Sequence, residues 1–255
     1  MTNNPLVFCR WPNLPQRYLT ALHEAVGYVL ARYGVHGVML SGTILRGNPA
    51  PSSDLDLFVL HRENYRQRVQ RWFAGIPCEI FVNPATYIEH YFQSEAALPC
   101  PSTTHMFATG YCIYEEGTIV TALQRIAADY LAHPPQYTEE ALIRARYSAA
   151  TWYEDALDMA EQDPITAHLL LHRAVYEMLG YVYQRAGMRQ PRHKELVVRL
   201  GEISPELAQA AHGFLVAGDL AARLTAAARI ADLTVGTSGF FEWESEPEFV
   251  VSKPV

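Results

Sequence analysis

Apolar residues recur at helical spacing through residues 14–33 (Leu19, Leu22, Val26, Val29, Leu30), and the run stops at Gly34. A short apolar stretch over 35–40 reads as a strand, and residues 41–53 form a glycine-containing loop. Residues 55–60 predict a second strand, 63–73 a basic helix, and 77–82 a third strand closed by the turn signal Asn83-Pro84. Helix, strand, loop, strand, helix and strand make a mixed α/β pattern. Past His133-Pro134-Pro135 the strand signals fade. Helical periodicity dominates over 138–161, 164–186, 193–201, 205–216 and 219–233, with Gly187, Gly201 and Gly218 near the expected ends. The reading is α+β: a small mixed-sheet domain over 1–133, followed by an all-helical bundle over 134–255. An acidic, loosely ordered tail (Glu242, Glu244, Glu246, Glu248) is expected to close the second domain.

Composition narrows the class. The 255 residues are 49% hydrophobic and 18% charged, an ordinary globular balance. No apolar run reaches the roughly 18 residues of a membrane span. The start MTNNPLVFCRWP lacks the basic and apolar parts of a secretory signal. Cys9, Cys78, Cys100 and Cys112 are scattered without a CxxC pair, which argues against a zinc site or a disulfide framework. They read as core residues, and a cytoplasmic protein is expected. The net charge of −7 argues against a protein that grips nucleic acid through its phosphates.

The candidate chemistry is concentrated in residues 40–59. In a strand, residues i and i+2 project from one face, roughly 6.5–7 Å apart. Asp54 and Asp56 therefore point together, while Leu55 and Leu57 enter the core. Two adjacent carboxylates repel unless something positive lies between them. Hard oxygen donors at this spacing suit Mg²⁺, which takes one or two carboxylates plus phosphate oxygens and water. Upstream, Gly42 and Gly47 let main-chain N–H groups approach a phosphate. The Thr43 hydroxyl, the Ser53 hydroxyl and the Arg46 guanidinium are suitable phosphate partners.

Leu40-Ser41-Gly42-Thr43, the intervening residues and Asp54-Leu55-Asp56-Leu57 together resemble the signature of the DNA-polymerase-β-like nucleotidyltransferase superfamily. Thr43 stands where that family usually has serine or glycine, and it keeps the hydroxyl. The resemblance spans residues 15–133. It implies a third carboxylate on a following strand, the place of Glu79 in Pro77-Cys78-Glu79-Ile80-Phe81-Val82. With its helical second half, the chain looks like aminoglycoside-type antibiotic nucleotidyltransferases. In those, a cleft between the domains takes the acceptor.

What this implies is transfer of a nucleoside monophosphate from ATP or another nucleoside triphosphate to a hydroxyl of a small-molecule acceptor. Asp54, Asp56 and Glu79 would hold one or two Mg²⁺, with Glu79 also a base. Lys194 resembles a lysine that some relatives send to the nucleotide. It sits in a basic cluster with Arg185, Arg189, Arg192, His193 and Arg199. Glu154, Asp158 and Glu161 share a helix face suited to a cationic acceptor, or to solvent. His105 fits either a phosphate-orienting or a structural role. Two alternatives remain: a minimal-nucleotidyltransferase antitoxin-like protein, non-catalytic or protein-modifying, and an RNA-end nucleotide-adding enzyme. The acceptor, the nucleotide preference and the oligomeric state are not encoded in any motif here.

Overall fold

The computed structural model describes residues 5–47, 49–50, 52–237, 239–245 and 247. By density of contact the chain divides into two units, Met1–His133 and Pro134–Val255. The first carries α1 (Gln16–Arg32), β1 (Val35–Ser41), β2 (Leu55–His61), β3 (Gln67–Phe73), β4 (Ile76–Pro84), α2 (Ile88–Glu95), α3 (Ser102–Thr109), β5 (Tyr111–Glu115) and α4 (Ile119–Ala132). The second carries α5 (Glu139–Gln162), α6 (Pro164–Arg185), α7 (Leu196–Arg199), α8 (Pro205–Val216) and α9 (Leu220–Thr234). This is an α+β fold: a mixed sheet with helices, then an all-helical part.

Among the described residues the sheet has five strands in the order β3-β4-β2-β1-β5. Only the β2–β4 pair is parallel. Alternation along the strands separates two faces. One face presents Val38 and Leu40, Leu55, Leu57 and Val59, and Cys78, Ile80 and Val82 to α1, whose Tyr18, Leu22, Val26 and Val29 are fully buried against it. At roughly 25 cal/mol per Å², burying each such aliphatic side chain is worth about 1.5–3 kcal/mol. The opposite face packs Met39, Phe58 and Leu60 under Ile88, Phe92, Phe107 and Leu123 of α2, α3 and α4. Asp56 and Glu79 lie on this second face, where the apolar cover stops.

The expected basic helix over 63–73 is instead β3, an edge strand paired antiparallel to β4. Its charged residues suit an exposed sheet edge, where they discourage pairing with another chain. A two-residue turn joins it to β4, with Ala74 at φ 44° and Gly75 at φ 76°. That left-handed pair matches the twist of a hairpin, and Glu24 of α1 holds it by accepting from the Ala74 N–H at 2.9 Å.

In the second unit, α5 and α6 pack Ala149, Tyr153 and Ala156 with Leu171, Ala174 and Met178, while Phe214, Ala227 and Ile230 of α8 and α9 complete the core. Four helices there begin on side-chain caps. Thr138 accepts from Ala141, Asp163 from Ile165 and Thr166, Ser204 from Leu207, and Asp219 from Ala222. Each such cap is worth about 1 kcal/mol. The helix expected over 193–201 shortens to α7 and a 3-10 turn, Leu200–Glu202.

The tail is not loose where it is described. Phe241 lies under the Arg146 guanidinium at 4.6 Å, and Trp243 packs on Tyr147 at 5.3 Å. Glu246 and Glu248 lie outside the described residues. No helix among the described residues is long and apolar enough to cross a membrane.

Candidate functional site

The end of β1 and the start of β2 meet where Ser41 pairs with Asp56. On its other side Asp56 pairs with Glu79 of the parallel strand β4, and Glu79 pairs with Gln70 of β3. One register row across the sheet therefore reads Ser41, Asp56, Glu79, Gln70, all on the same face. Asp54, exposed, lies just before β2. The register thus sets Asp56 and Glu79 side by side, with Asp54 two residues upstream of Asp56.

Gly42 follows β1 with φ 91°, in the region that L side chains rarely adopt. A Cβ at this position would collide with Asp56 Oδ2. The backbone there is pressed against the carboxylate, and only glycine permits it. Next comes a single 3-10 turn, Thr43–Arg46, ended by Gly47 at φ 84°. Ile44 anchors the turn in the core, fully buried, and Thr43 is half-buried while Arg46 is exposed. One turn carries little macrodipole, so a phosphate here would meet individual N–H groups and the Thr43 hydroxyl. Among the described residues of the loop, Ala50 and Ser53 are tied down. The Ser53 N–H donates to the Ala50 carbonyl at 2.9 Å, and the Tyr18 hydroxyl donates to the same carbonyl at 3.1 Å. Ser53 itself is buried.

Electrostatics set Asp56 apart. Burial, then the Asp54 and Glu79 charges, push its carboxyl up to about 6, with Arg68 acting in the opposite sense. A group held that high is short of positive charge. Cys78, beside Glu79 but on the α1 face, has its thiol raised to about 12, by burial first and then by the same carboxylates. It is inert as a nucleophile.

Glu79 is positioned by residues that the sequence pattern places on a basic helix. Arg68 Nε lies 2.7 Å from Glu79 Oε1, and Gln70 Nε2 donates to the same oxygen at 2.9 Å. The signal that could have found them is their i, i+2 spacing just before Ala74-Gly75 and a strand. Arg68 and Gln70 share a face only if this segment is extended.

His105, on α3, is brought to the loop: Arg46 Nη2 is 3.5 Å from His105 Nε2. The Ser41 hydroxyl donates to the Met106 carbonyl at 3.3 Å, fixing α3 against the end of β1.

The remaining candidates belong to the second unit. Glu154 is half-buried on α5, and Asp158 and Glu161 are exposed on the same helix. Lys194 is exposed in the turn before α7. Its cationic neighbours are engaged within the unit: Arg192 pairs with Glu195 at 2.5 Å, Arg199 with Glu202 at 3.0 Å, and Arg185 donates to the Thr234 carbonyl at 3.0 Å. His193 Nδ1 lies 2.8 Å from the Tyr176 hydroxyl.

Among the described residues no three His, Cys, Asp or Glu side chains stand close enough together, as oriented, to hold a metal ion. Glu79 Oε1 is turned to Arg68 and Gln70. The donor chemistry nonetheless fits Mg²⁺: Asp54 and Asp56 supply the one or two carboxylates this ion takes when phosphate and water complete its shell. A divalent charge would also offset the burial and the repulsion that raise Asp56.

No protein-family model matches the chain, and no curated protein matches it. Among solved structures it is similar to a nucleotidyltransferase-like protein from Exiguobacterium sibiricum 255-15. Identity is 10%, over 87% of this chain and 77% of that one, with a TM-score of 0.48. A likeness at that level shows neither family nor activity.

Proposed function

We propose that the chain is a Mg²⁺-dependent nucleotidyltransferase of the DNA-polymerase-β-like superfamily, moving a nucleoside monophosphate, AMP in the first instance, onto a hydroxyl of a small-molecule acceptor. The observation that carries this reading is the close fit of Gly42 against Asp56, with Glu79 in register beside it.

Asp54 and Asp56 would hold Mg²⁺, which offsets charge on the triphosphate and the leaving oxygen when bound. Backbone N–H groups of the turn after Gly42, the Thr43 hydroxyl and Arg46 bind the phosphates, with Ser53 holding the loop beneath them. Glu79 receives the acceptor's hydroxyl proton on Oε2, the oxygen that Arg68 and Gln70 do not hold. The acceptor oxygen forms a bond to the α-phosphorus as the bond to the β-phosphate oxygen breaks, and pyrophosphate leaves. Arg68 and Gln70 keep Glu79 aimed; they are positioning residues.

The test is Asp54→Asn and Asp56→Asn, each assayed for transfer of label from α-labelled ATP and for Mg²⁺-supported ATP binding. Both readouts are expected to be lost. Wild-type values in either variant would sink the assignment.

A further inference from the structure

Next to the carboxylate row lies a second register row on the same face: Met39, Phe58, Phe81 and Arg68. Phe58 and Phe81 are two residues beyond Asp56 and Glu79 in their strands, about 7 Å further along. They floor a cleft of about 560 Å³ within the first unit. The two rings stack at 4.8 Å with 9° between their planes, and the Arg68 guanidinium lies 4.6 Å from the Phe81 centroid. Arg66 borders the cleft too. Its Nη1 donates to the Tyr91 hydroxyl at 2.7 Å, and its guanidinium lies 4.9 Å from the Tyr87 centroid. Tyr91 in turn donates to Asn83 Oδ1 at 3.2 Å.

Both guanidiniums are thus held in place by aromatic faces before any ligand arrives, which lowers the ordering cost of binding. The cleft wall contains two arginines and no carboxylate. Ser102 and Thr103 come from the start of α3, where the Thr103 and Thr104 N–H groups are already taken. Glu95 accepts from Thr103 N at 3.1 Å, from Thr104 N at 2.9 Å and from Thr104 Oγ1 at 3.0 Å. The positive character of the cleft therefore rests on Arg66, which no carboxylate in the cleft wall offsets, and on Arg68, whose Nε is shared with Glu79 at 2.7 Å.

Position across the sheet separates this cleft from the phosphate turn. In the order β3-β4-β2-β1-β5, the turn after Gly42 extends β1, on one side of Asp56. The arginines lie on the other side, beyond Glu79.

We propose that this cleft is the acceptor pocket, and that the acceptor is an anionic small molecule, a phosphate or carboxylate on a flat apolar body, rather than a polycation of the aminoglycoside type. The inference rests on the nucleotidyltransferase reading. The apolar body meets the edges of the stacked Phe58 and Phe81 rings, whose faces are taken by each other and by Arg68, the anion meets Arg66 and Arg68, and the reacting hydroxyl points along β4 to Glu79. Guanidinium forks suit planar or tetrahedral oxyanions and repel ammonium groups.

The test uses the full chain and calorimetric titration with 4-nitrophenyl phosphate, 4-nitrobenzoate and kanamycin, with and without a saturating non-hydrolysable ATP analogue and Mg²⁺. At least one anion is expected to bind, the phosphate and carboxylate arms telling the two oxyanions apart. Arg66→Ala and Arg68→Ala should each weaken that binding by about tenfold, the loss of a charge-assisted contact. The nucleotide analogue should not displace the probe, and kanamycin should not bind. No binding of either anion, binding indifferent to both arginine substitutions, displacement by the nucleotide, or kanamycin competition would each overturn the proposal. Asp56→Asn separates the two levels. Probe binding should persist in it while Mg²⁺-supported ATP binding is lost. If ATP binding survives in that variant, the parent reading fails, whatever the probe does.

Discussion

The two faces of the sheet carry opposite demands, and neighbouring residues of one strand meet them. Leu55, Leu57 and Val59 are fully buried against α1, while Asp56, between the first two, opens onto the loop after Gly42. On the first face every side chain lowers the free energy of folding. On the second, a carboxylate is kept at a cost, its charge opposed by burial and by Asp54 and Glu79. Packing and the proposed chemistry are thus separated by a single residue of alternation, so the two should respond to mutation independently.

The largest expected effect comes from Asp56→Asn: transfer activity should fall by at least about a thousandfold. The same substitution should raise the melting temperature of the metal-free protein. Its neighbour should behave the other way. Leu57→Ala is expected to cost about 2–5 kcal/mol in denaturant unfolding, with the activity of the remaining folded fraction largely retained. If Asp56→Asn melts lower than wild type, or Leu57→Ala abolishes turnover without loss of stability, the contrast between the faces fails.

Titration sharpens the contrast. Because the Asp56 carboxyl lies near 6 when folded, above its unfolded value, the unfolded chain ionises first as pH rises. Stability is therefore lost between about pH 4 and pH 6, on the order of 2–3 kcal/mol, and stays lost at neutral pH. Glu115 and Glu116, whose carboxyls are held below the ordinary range, act in the opposite sense. The measurement is therefore the melting difference between wild type and Asp56→Asn. It should widen from pH 4 to pH 7 and shrink on adding Mg²⁺. A difference that is constant with pH would refute the assignment of the strain to Asp56.

Smaller effects follow at Gly42 and Arg68. Gly42→Ala should destabilise by about 1–3 kcal/mol through its positive φ and the contact with Asp56, and should weaken ATP binding as the carboxylate shifts. Arg68→Ala touches an exposed pair and should change stability by less than about 1 kcal/mol. Its signature should be a lower kcat with little change in the KM for ATP, because Glu79 loses its aim. An unchanged kcat would remove Arg68 from the positioning of Glu79.

How much of this could be read beforehand depended on where the information lies. Helices α5, α6, α8 and α9 announce themselves, since Thr138, Asp163, Ser204 and Asp219 cap them from within the local sequence. Helices α2, α3 and α4 have no cap of their own, and they escaped notice. α3 takes its cap from Glu95, a residue of another helix. The Asp54–Asp56 pair and Gly42 were legible because a glycine and two carboxylates at fixed spacing have few bland explanations. The partners of Glu79 were hidden because Arg68 and Gln70 sit in a charged segment whose extended form depends on pairing with β4. Edge strands of this kind draw their conformation from a neighbour, not from their own residues.

The parallel pairing of β2 with β4 has a consequence for the order of events as the chain folds. Parallel neighbours cannot be joined by a tight turn, so Asp56 and Glu79 meet only after the intervening β3–β4 hairpin has swung round and docked against the central strand. Closing that loop is entropically slow, and no short fragment ending before β4 can bring the two acids together. A nascent or partly denatured chain therefore displays the glycine turn and its aspartates without their counterpart, and the pairing of the two acids arrives late, as a property of the finished topology.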